Sequence, residues 1–410
     1  MTDVAFETFD ALSPRALIGD RDLPWSLRRA LRALLHLEAG SLDVTMPDGR
    51  KARFCGARPG PHAHFEARSF RFVRRLAAGD VGFAEGYLAG EWTSDDPVAL
   101  LALLAANQAL IDRFAAHPLA RAAQMARHWL NRNSRAGSRR NIHAHYDLGN
   151  AFYALWLDPS MTYSAGLDVG DDLEAAQARK YAAIADAARI GPGSRVLEIG
   201  CGWGGFAAYA ARERGARVTA LTISREQFDY ATARIAAAGL DDRVEIALRD
   251  YRDEPGVYDA VVSIEMVEAV GEAFWPGYFA ALARRLAPGA RAALQAITIR
   301  EDIFPRYRRE MDFIRAHIFP GGMLPTPTHM RWLGAEAGLA VVGERAFGAD
   351  YAATCRIWRE RFEAAWPRIE PLGFDARFRR LWRYYLAYCE AGFAVGTIDV
   401  RHVVYEAPKS

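Results

Sequence analysis

The spacing of hydrophobic positions changes along the chain. Early on, Leu27, Ala30, Leu31, Leu34 and Leu35 recur at helical spacing, Leu42 to Met46 reads as a short strand, and Pro47-Asp48-Gly49 reads as a turn. Later, apolar runs of strand length alternate with amphipathic segments. Arg195 to Gly200, Arg217 to Thr222, Val244 to Leu248, Tyr258 to Ile264 and Arg291 to Ile299 predict buried strands, with helices over Phe206 to Glu213, Arg225 to Ala238 and Phe274 to Leu286. Ser224 with Gln227 has the pattern of a capping box, and Gly215 and Gly239 stand where helix ends favour a left-handed residue. An irregular insertion (Phe319-Pro320-Gly321-Gly322-Met323-Leu324-Pro325), a further helix and strand, an aromatic-rich helical region and a closing strand from Thr397 to Tyr405 complete the pattern. Such alternation predicts an α/β domain whose mainly parallel sheet is covered on both faces.

Between the two patterned regions, Arg121, Arg127, Arg132, Arg135, Arg139 and Arg140 occur without an acid, and the second half of that stretch is rich in Asn, Ser and Gly. It reads as a helix end running into a basic linker, dividing the chain into domains 1–130 and 143–410 joined by residues 131–142. Its arginines suit a solvated helix face or acidic lipid headgroups equally well. The 410 residues are 51% hydrophobic and carry 52 Lys+Arg against 50 Asp+Glu, which excludes a disordered tail and argues against nucleic acid as partner. Arginine supplies nearly all the basic residues, since only Lys51, Lys180 and Lys409 are lysines; codon bias explains this better than phosphate recognition. Cys55, Cys201, Cys355 and Cys389 form no C-x-x-C pair, so a reducing cytoplasm without zinc or disulfides is expected. The run Val98 to Ala106 is about half of the ~20 residues a membrane span needs, and Asp3, Glu7 and Asp10 argue against a secretion signal.

Gly200-Cys201-Gly202-Trp203-Gly204-Gly205 follows a predicted strand and opens a helix, as a backbone that approaches a nucleotide-like cofactor must. A dinucleotide enzyme would place an acid on the ribose at the end of the second strand, where this chain has Thr222-Ile223-Ser224. Glu198 instead lies inside the first strand, a pattern that favours S-adenosylmethionine over NAD.

The segment Val196 to Gly205, with His145-Tyr146-Asp147-Leu148-Gly149-Asn150 upstream and Leu221 to Gln227 downstream, resembles the cyclopropane-fatty-acyl-phospholipid synthases and the related mycolic acid cyclopropane synthases. Asp250-Tyr251-Arg252-Asp253, Ile318 to Gly322, Phe347 to Tyr351 and Glu363 to Pro367 extend the resemblance, in order, over roughly residues 143 to 405. It implies a seven-stranded Rossmann-like methyltransferase sheet with a smaller N-terminal lipid-handling domain, α+β or mainly helical. The implied reaction carries a methyl group from S-adenosylmethionine to a cis double bond of a phospholipid acyl chain. A cationic carbon follows, and loss of a proton from the new methyl closes a cyclopropane ring, whereas loss from a neighbouring carbon leaves a methylated alkene; a methyl-branched or methylene chain without ring closure is the alternative product.

Carried over by position, Tyr163, Ser164, Gly200, Gly202, Thr222, Ile223, Ser224 and Gln227 contact the donor, with Tyr251, Arg252 and Ile264 near its adenine. The resemblance also implies a bicarbonate base held by a cysteine, a glutamate, a histidine, an isoleucine backbone group and a tyrosine. Glu268, Ile297 and Tyr351 match that set, while Ala165 and Gln295 replace the cysteine and the histidine, and Ala269 stands beside the glutamate. Glu265 occupies a position where many of these synthases have glycine. Paired carboxylates raise one pKa, so Glu265 and Glu268 are candidates to organise or supply the base; Glu265 equally suits the donor's amino group or a helix cap.

Phe378, Leu381, Tyr385 and Tyr388 have helical spacing and are expected to pack against the sheet, with a role in lining the acyl tunnel as the family alternative. His143 with His145, and His62 with His64, lack a third ligand at metal-site spacing, and His317 and His329 suit loop packing. The expected whole is a cytoplasmic enzyme peripheral to the inner face of the membrane, with homodimerisation left open. An NAD-dependent reductase and a non-catalytic lipid carrier are the rival classes.

Overall fold

The computed structural model describes residues 12–113, 117–130 and 148–409. The chain divides into two compact units, Met1–Ala123 with Ala376–Val395, and Gln124–Asp375 with Gly396–Ser410. The basic linker 131–142 and the histidines His143 and His145 lie outside the described residues.

The first unit is α+β. Strands β1 (Ala39–Thr45), β2 (Lys51–Cys55), β3 (Arg58–Ala67) and β4 (Trp92–Thr93) form a sheet in the order β2-β1-β3-β4. Pro47-Asp48-Gly49 makes the turn between β1 and β2 as expected, with Met46 N–H donating to Arg50 O at 2.8 Å. Pro59 and Pro61 hide β3 from a pattern reading, because proline removes ladder donors. His62 and His64 pair with Ser41 and Thr45. The helix Ala376–Val395 belongs here and packs against the apolar helix Pro97–Ala106, which corrects the expectation that its aromatic face meets the large sheet. Its Tyr384 ring lies 5.3 Å from Tyr87 and 6.3 Å from Trp92. Of the four positions picked by helical spacing, Tyr385 is buried while Phe378, Leu381 and Tyr388 are partly exposed; the buried face runs through Trp382, Tyr384, Leu386 and Phe393.

The second unit holds β5 (Arg195–Ile199), β6 (Arg217–Thr222), β7 (Val244–Leu248), β8 (Tyr258–Ile264), β9 (Leu286–Ile299), β10 (Ala340–Ala346) and β11 (Ile398–Glu406), ordered β10-β11-β9-β8-β5-β6-β7. Only the pairings of β11 with β10 and β9 are antiparallel, and core clusters cover both faces. The seven-stranded α/β expectation holds. The chain runs outward from β5 through β6 to β7, then returns to β8 on the other side, so the order reverses between β5 and β8. Crevices form at the carboxyl ends of strands at such a switch point. No described helix is long and apolar enough to cross a membrane.

Candidate active site

Two loops meet at that switch point. After β5, Gly200 and Gly202 adopt φ of +83° and +52°. A Cβ on Gly200 would lie 2.6 Å from Met266 Cγ, whereas one on Gly202 would meet no protein atom within 4 Å, leaving that side open to a ligand. Glu198, buried in β5, has a carboxylate oxygen without a hydrogen-bond partner, and burial pushes its pKa up to about 8 despite Lys180. At the end of β6, Thr222 Oγ1 donates to Gln227 Oε1 at 2.9 Å and accepts from Ser224 N–H at 3.1 Å. Ser224 caps the following helix through Gln227 N–H at 3.3 Å, but the Gln227 side chain turns to Thr222, so the expected capping box is half made. Ile223 sits in this turn. Tyr251 stacks edge-on against Tyr278 at 5.4 Å, Arg252 donates to Asp250 at 2.8 Å, and Ile264 ends β8.

Glu265 follows β8 with φ +50°, a left-handed backbone that costs a non-glycine residue roughly 1–3 kcal/mol. Its carboxylate collects donors from three distant segments. Oε1 accepts from Ala165 N–H at 2.9 Å and from Gln295 Nε2 at 2.7 Å, and Oε2 accepts from the Tyr351 hydroxyl at 2.6 Å. It does not cap a helix. Glu268, in the turn Val267–Ala269, accepts from Ile297 N–H through Oε1, while its buried Oε2 has no hydrogen-bond partner. Burial, and then the charge of Glu265, push the Glu268 pKa up to about 8. Burial raises Glu265 as well, opposed by Tyr351, Ala165 N–H, Lys180 and Gln295. Glu265 has more donors than Glu268 and Lys180 nearby, so its charged form is the better supported of the pair.

Pattern reading singled out neither Lys180 nor His402 as a site residue. Lys180 lies on the buried stripe of helix Leu173–Ala187 with Leu173, Ala176, Gln177 and Ile184, and donates to Ser164 Oγ at 2.6 Å. Burial brings its pKa down to about 7 against the pull of Glu265, Asp158 and Glu198. A rare lysine in the apolar register of a helix was the available signal. His402, an imidazole inside the closing strand, meets Gln295 Oε1 at 2.9 Å. The Tyr351 ring, 6.0 Å from Trp358, joins an aromatic cluster in which Tyr163 is 5.3 Å from Trp358, 5.6 Å from Trp156 and 5.5 Å from Tyr153, and Trp203 donates to Asn150 at 2.7 Å.

A family model described as mycolic acid cyclopropane synthetase matches residues 133–403. The chain belongs to this family. It is 42% identical over 358 residues to the tuberculostearic acid methyltransferase UfaA1 of Mycobacterium tuberculosis, covering 82% of this chain and 81% of that one. The cyclopropane-fatty-acyl-phospholipid synthase of Escherichia coli is 34% identical over 351 residues, covering 82% and 85%. The crystal structure of mycolic acid cyclopropane synthase CmaA1 with SAH and CTAB superposes with a TM-score of 0.62 at 26% identity, over 65% of this chain and 98% of that one. Family membership and the seven-stranded sheet place this chain among S-adenosylmethionine-dependent, lipid-modifying methyltransferases.

Proposed function

We propose that this enzyme methylates the cis double bond of an unsaturated phospholipid acyl chain from S-adenosylmethionine, and that the Glu265 carboxylate removes a proton from the resulting cation. The observation that carries this reading is the carboxylate held by Ala165 N–H, Gln295 and Tyr351 at the switch point.

The residues present fit the donor. Its cationic amino group would give the buried Glu198 carboxylate a partner, and the open side of Gly202 leaves room for it. Tyr163, Ser164, Gly200, Gly202, Thr222, Ile223, Ser224 and Gln227 would hold it, with Tyr251, Arg252 and Ile264 toward the adenine. When bound, it supplies an electrophilic methyl group. The aromatic cluster around Tyr163 and Trp358 excludes water and presents ring faces that stabilise a cation by roughly 0.5–2 kcal/mol each. Bicarbonate does not fit: Gln295, Tyr351 and Ala165 N–H already engage Glu265, Ile297 N–H already engages Glu268, and a second anion would face the Glu265 charge.

An open-chain methylated or methylene product is the first reading. A resident carboxylate in place of the anion site departs from the cyclopropane synthases, and a 42% identical relative is named for tuberculostearic acid. Ring closure, which the family resemblance puts first, is the second reading, supported by the 34% identical synthase. Mass spectrometry and NMR of lipids incubated with enzyme and trideuteriomethyl donor separate them. A methylated alkene keeps all three deuterium atoms, whereas a methylene product (=CD2) and a cyclopropane ring (CD2) each keep two and are told apart by vinylic against ring signals in NMR spectra; a ring as the product overturns the open-chain reading.

The lipid reaches the enzyme from a membrane. Helix Trp25–Leu34 buries Leu27 and Leu31, while Trp25, Arg29 and Arg32 remain exposed, a basic amphipathic surface suited to acidic headgroups.

A further inference from the structure

We propose that His402 is a positioning residue for the base: its Nε2–H holds Gln295 Oε1, which turns Gln295 Nε2 onto Glu265 Oε1 and leaves Glu265 Oε2 as the oxygen that takes the proton. This rests on the reading of Glu265 as the base.

Gln295 and His402 are direct cross-strand partners on β9 and β11, and both are buried. The orientation of the amide follows from its neighbours. Gln295 Nε2 lies 2.7 Å from Glu265 Oε1 and 3.3 Å from the carbonyl oxygen of Ala165. A carbonyl oxygen can only accept, so the amide atom facing it is the nitrogen. The amide oxygen therefore faces His402 Nε2 at 2.9 Å, and that imidazole nitrogen must carry the hydrogen. Phe347 packs edge-on against the imidazole at 4.7 Å and restrains its tilt. Burial, with Lys180 and Arg345 repelling any added charge, brings the His402 pKa down to about 3, so the ring stays neutral and has a single N–H to place.

A flipped amide would set its oxygen against the Glu265 carboxylate and the Ala165 carbonyl, and its NH2 against the His402 N–H. His402 thus acts on Glu265 through Gln295, at one remove from the reacting atoms. The two carboxylate oxygens become unequal. Oε1 has both lone-pair directions engaged, by Ala165 N–H and Gln295, whereas Oε2 accepts from Tyr351 and retains one free. The charged and titratable groups facing Glu265 are Lys180, Glu268 and Tyr351.

The test compares His402→Leu, which removes the donor, with His402→Asn, which retains one. His402→Leu is expected to lower kcat about tenfold or more, to leave KM for the methyl donor unchanged, and to move the acidic limb of the kcat profile to higher pH, because Glu265 loses an N–H that favours its charged form. His402→Asn recovers part of both effects. Imidazole 15N spectra of the unaltered enzyme are expected to show hydrogen on Nε2, a measurement that needs no variant. A proton on Nδ1 alone, a folded His402→Leu enzyme with unchanged kcat and acidic limb, or equal losses in both variants with the limb unmoved would each overturn the proposal. Glu265→Gln separates the two levels: full turnover in that variant removes the base reading itself, whereas its loss beside an unaffected His402→Leu removes only the role of His402.

Discussion

The Tyr351 hydroxyl donates to Glu265 Oε2 at 2.6 Å, joining helix Gly348–Ile369 to the residue that follows β8. This hydrogen bond favours the charged form of Glu265, the proposed base. Tyr351→Phe is expected to lower kcat about 10- to 100-fold, as loss of a hydrogen bond to a charged group worth ~1.5–3 kcal/mol implies, with little change in KM for the donor. Steady-state kinetics with saturating lipid checks this; an unchanged kcat would remove Tyr351 from the environment of the base.

The buried ionisable groups set the pH dependence of stability. Glu268 has a folded pKa of about 8 against 4.5 for an unperturbed glutamate carboxyl, so the native state binds the extra proton between those values. Its contribution is full below the lower value and is lost as pH rises toward about 8. Lys180, at about 7 against 10.5, acts in the opposite sense, and its contribution improves as pH rises through that interval. Urea unfolding across pH should show a decline through the first window that Glu268→Gln flattens by about one proton. An identical slope in wild type and variant would show that Glu268 is not held protonated.

A Cβ on Gly202 would meet no protein atom within 4 Å, on the side where the proposed donor would lie. Gly202→Ala is expected to raise the dissociation constant for S-adenosylmethionine about tenfold or more, corresponding to ~1.4 kcal/mol, through steric displacement and the strain of a left-handed alanine. Calorimetric titration measures it. Undiminished affinity would place the donor elsewhere.

Trp25 is 65% exposed and stands 5.8 Å from the Arg29 guanidinium on the basic helix of the first unit. Reversing charge at Arg29 and Arg32 should weaken binding to anionic vesicles about tenfold or more at low salt, since each arginine near such a surface contributes ~1 kcal/mol. Binding to zwitterionic vesicles and the unfolding temperature should stay the same. Vesicle sedimentation gives the answer, and equal binding by the double variant would move the membrane contact away from this helix.

Local regularities were legible because they depend on near neighbours along the chain. The strands at Arg195, Arg217, Val244 and Tyr258, the glycine turn at Gly200 and Gly202, and the cap at Ser224 were all readable from spacing. Glu265 stood out because it replaces a glycine, and its φ of +50° supplies the reason glycine suits that position. The prolines of β3 concealed a strand, and the periodicity of Ala376–Val395 showed a helix but neither its most buried face nor its partner.

By itself, then, the sequence determined the strands, the helices between them and the glycine turn, since hydrophobic period and backbone freedom act within a few residues. Tertiary structure alone decided which atoms surround the carboxylate. Ala165, Gln295 and Tyr351 come from segments far apart along the chain, and Lys180 and His402 gain meaning only once the helix and the closing strand bury them beside Glu265. The charge of a buried acid depends on the donors and counter-charges within a few ångströms, and those neighbours are chosen by the fold.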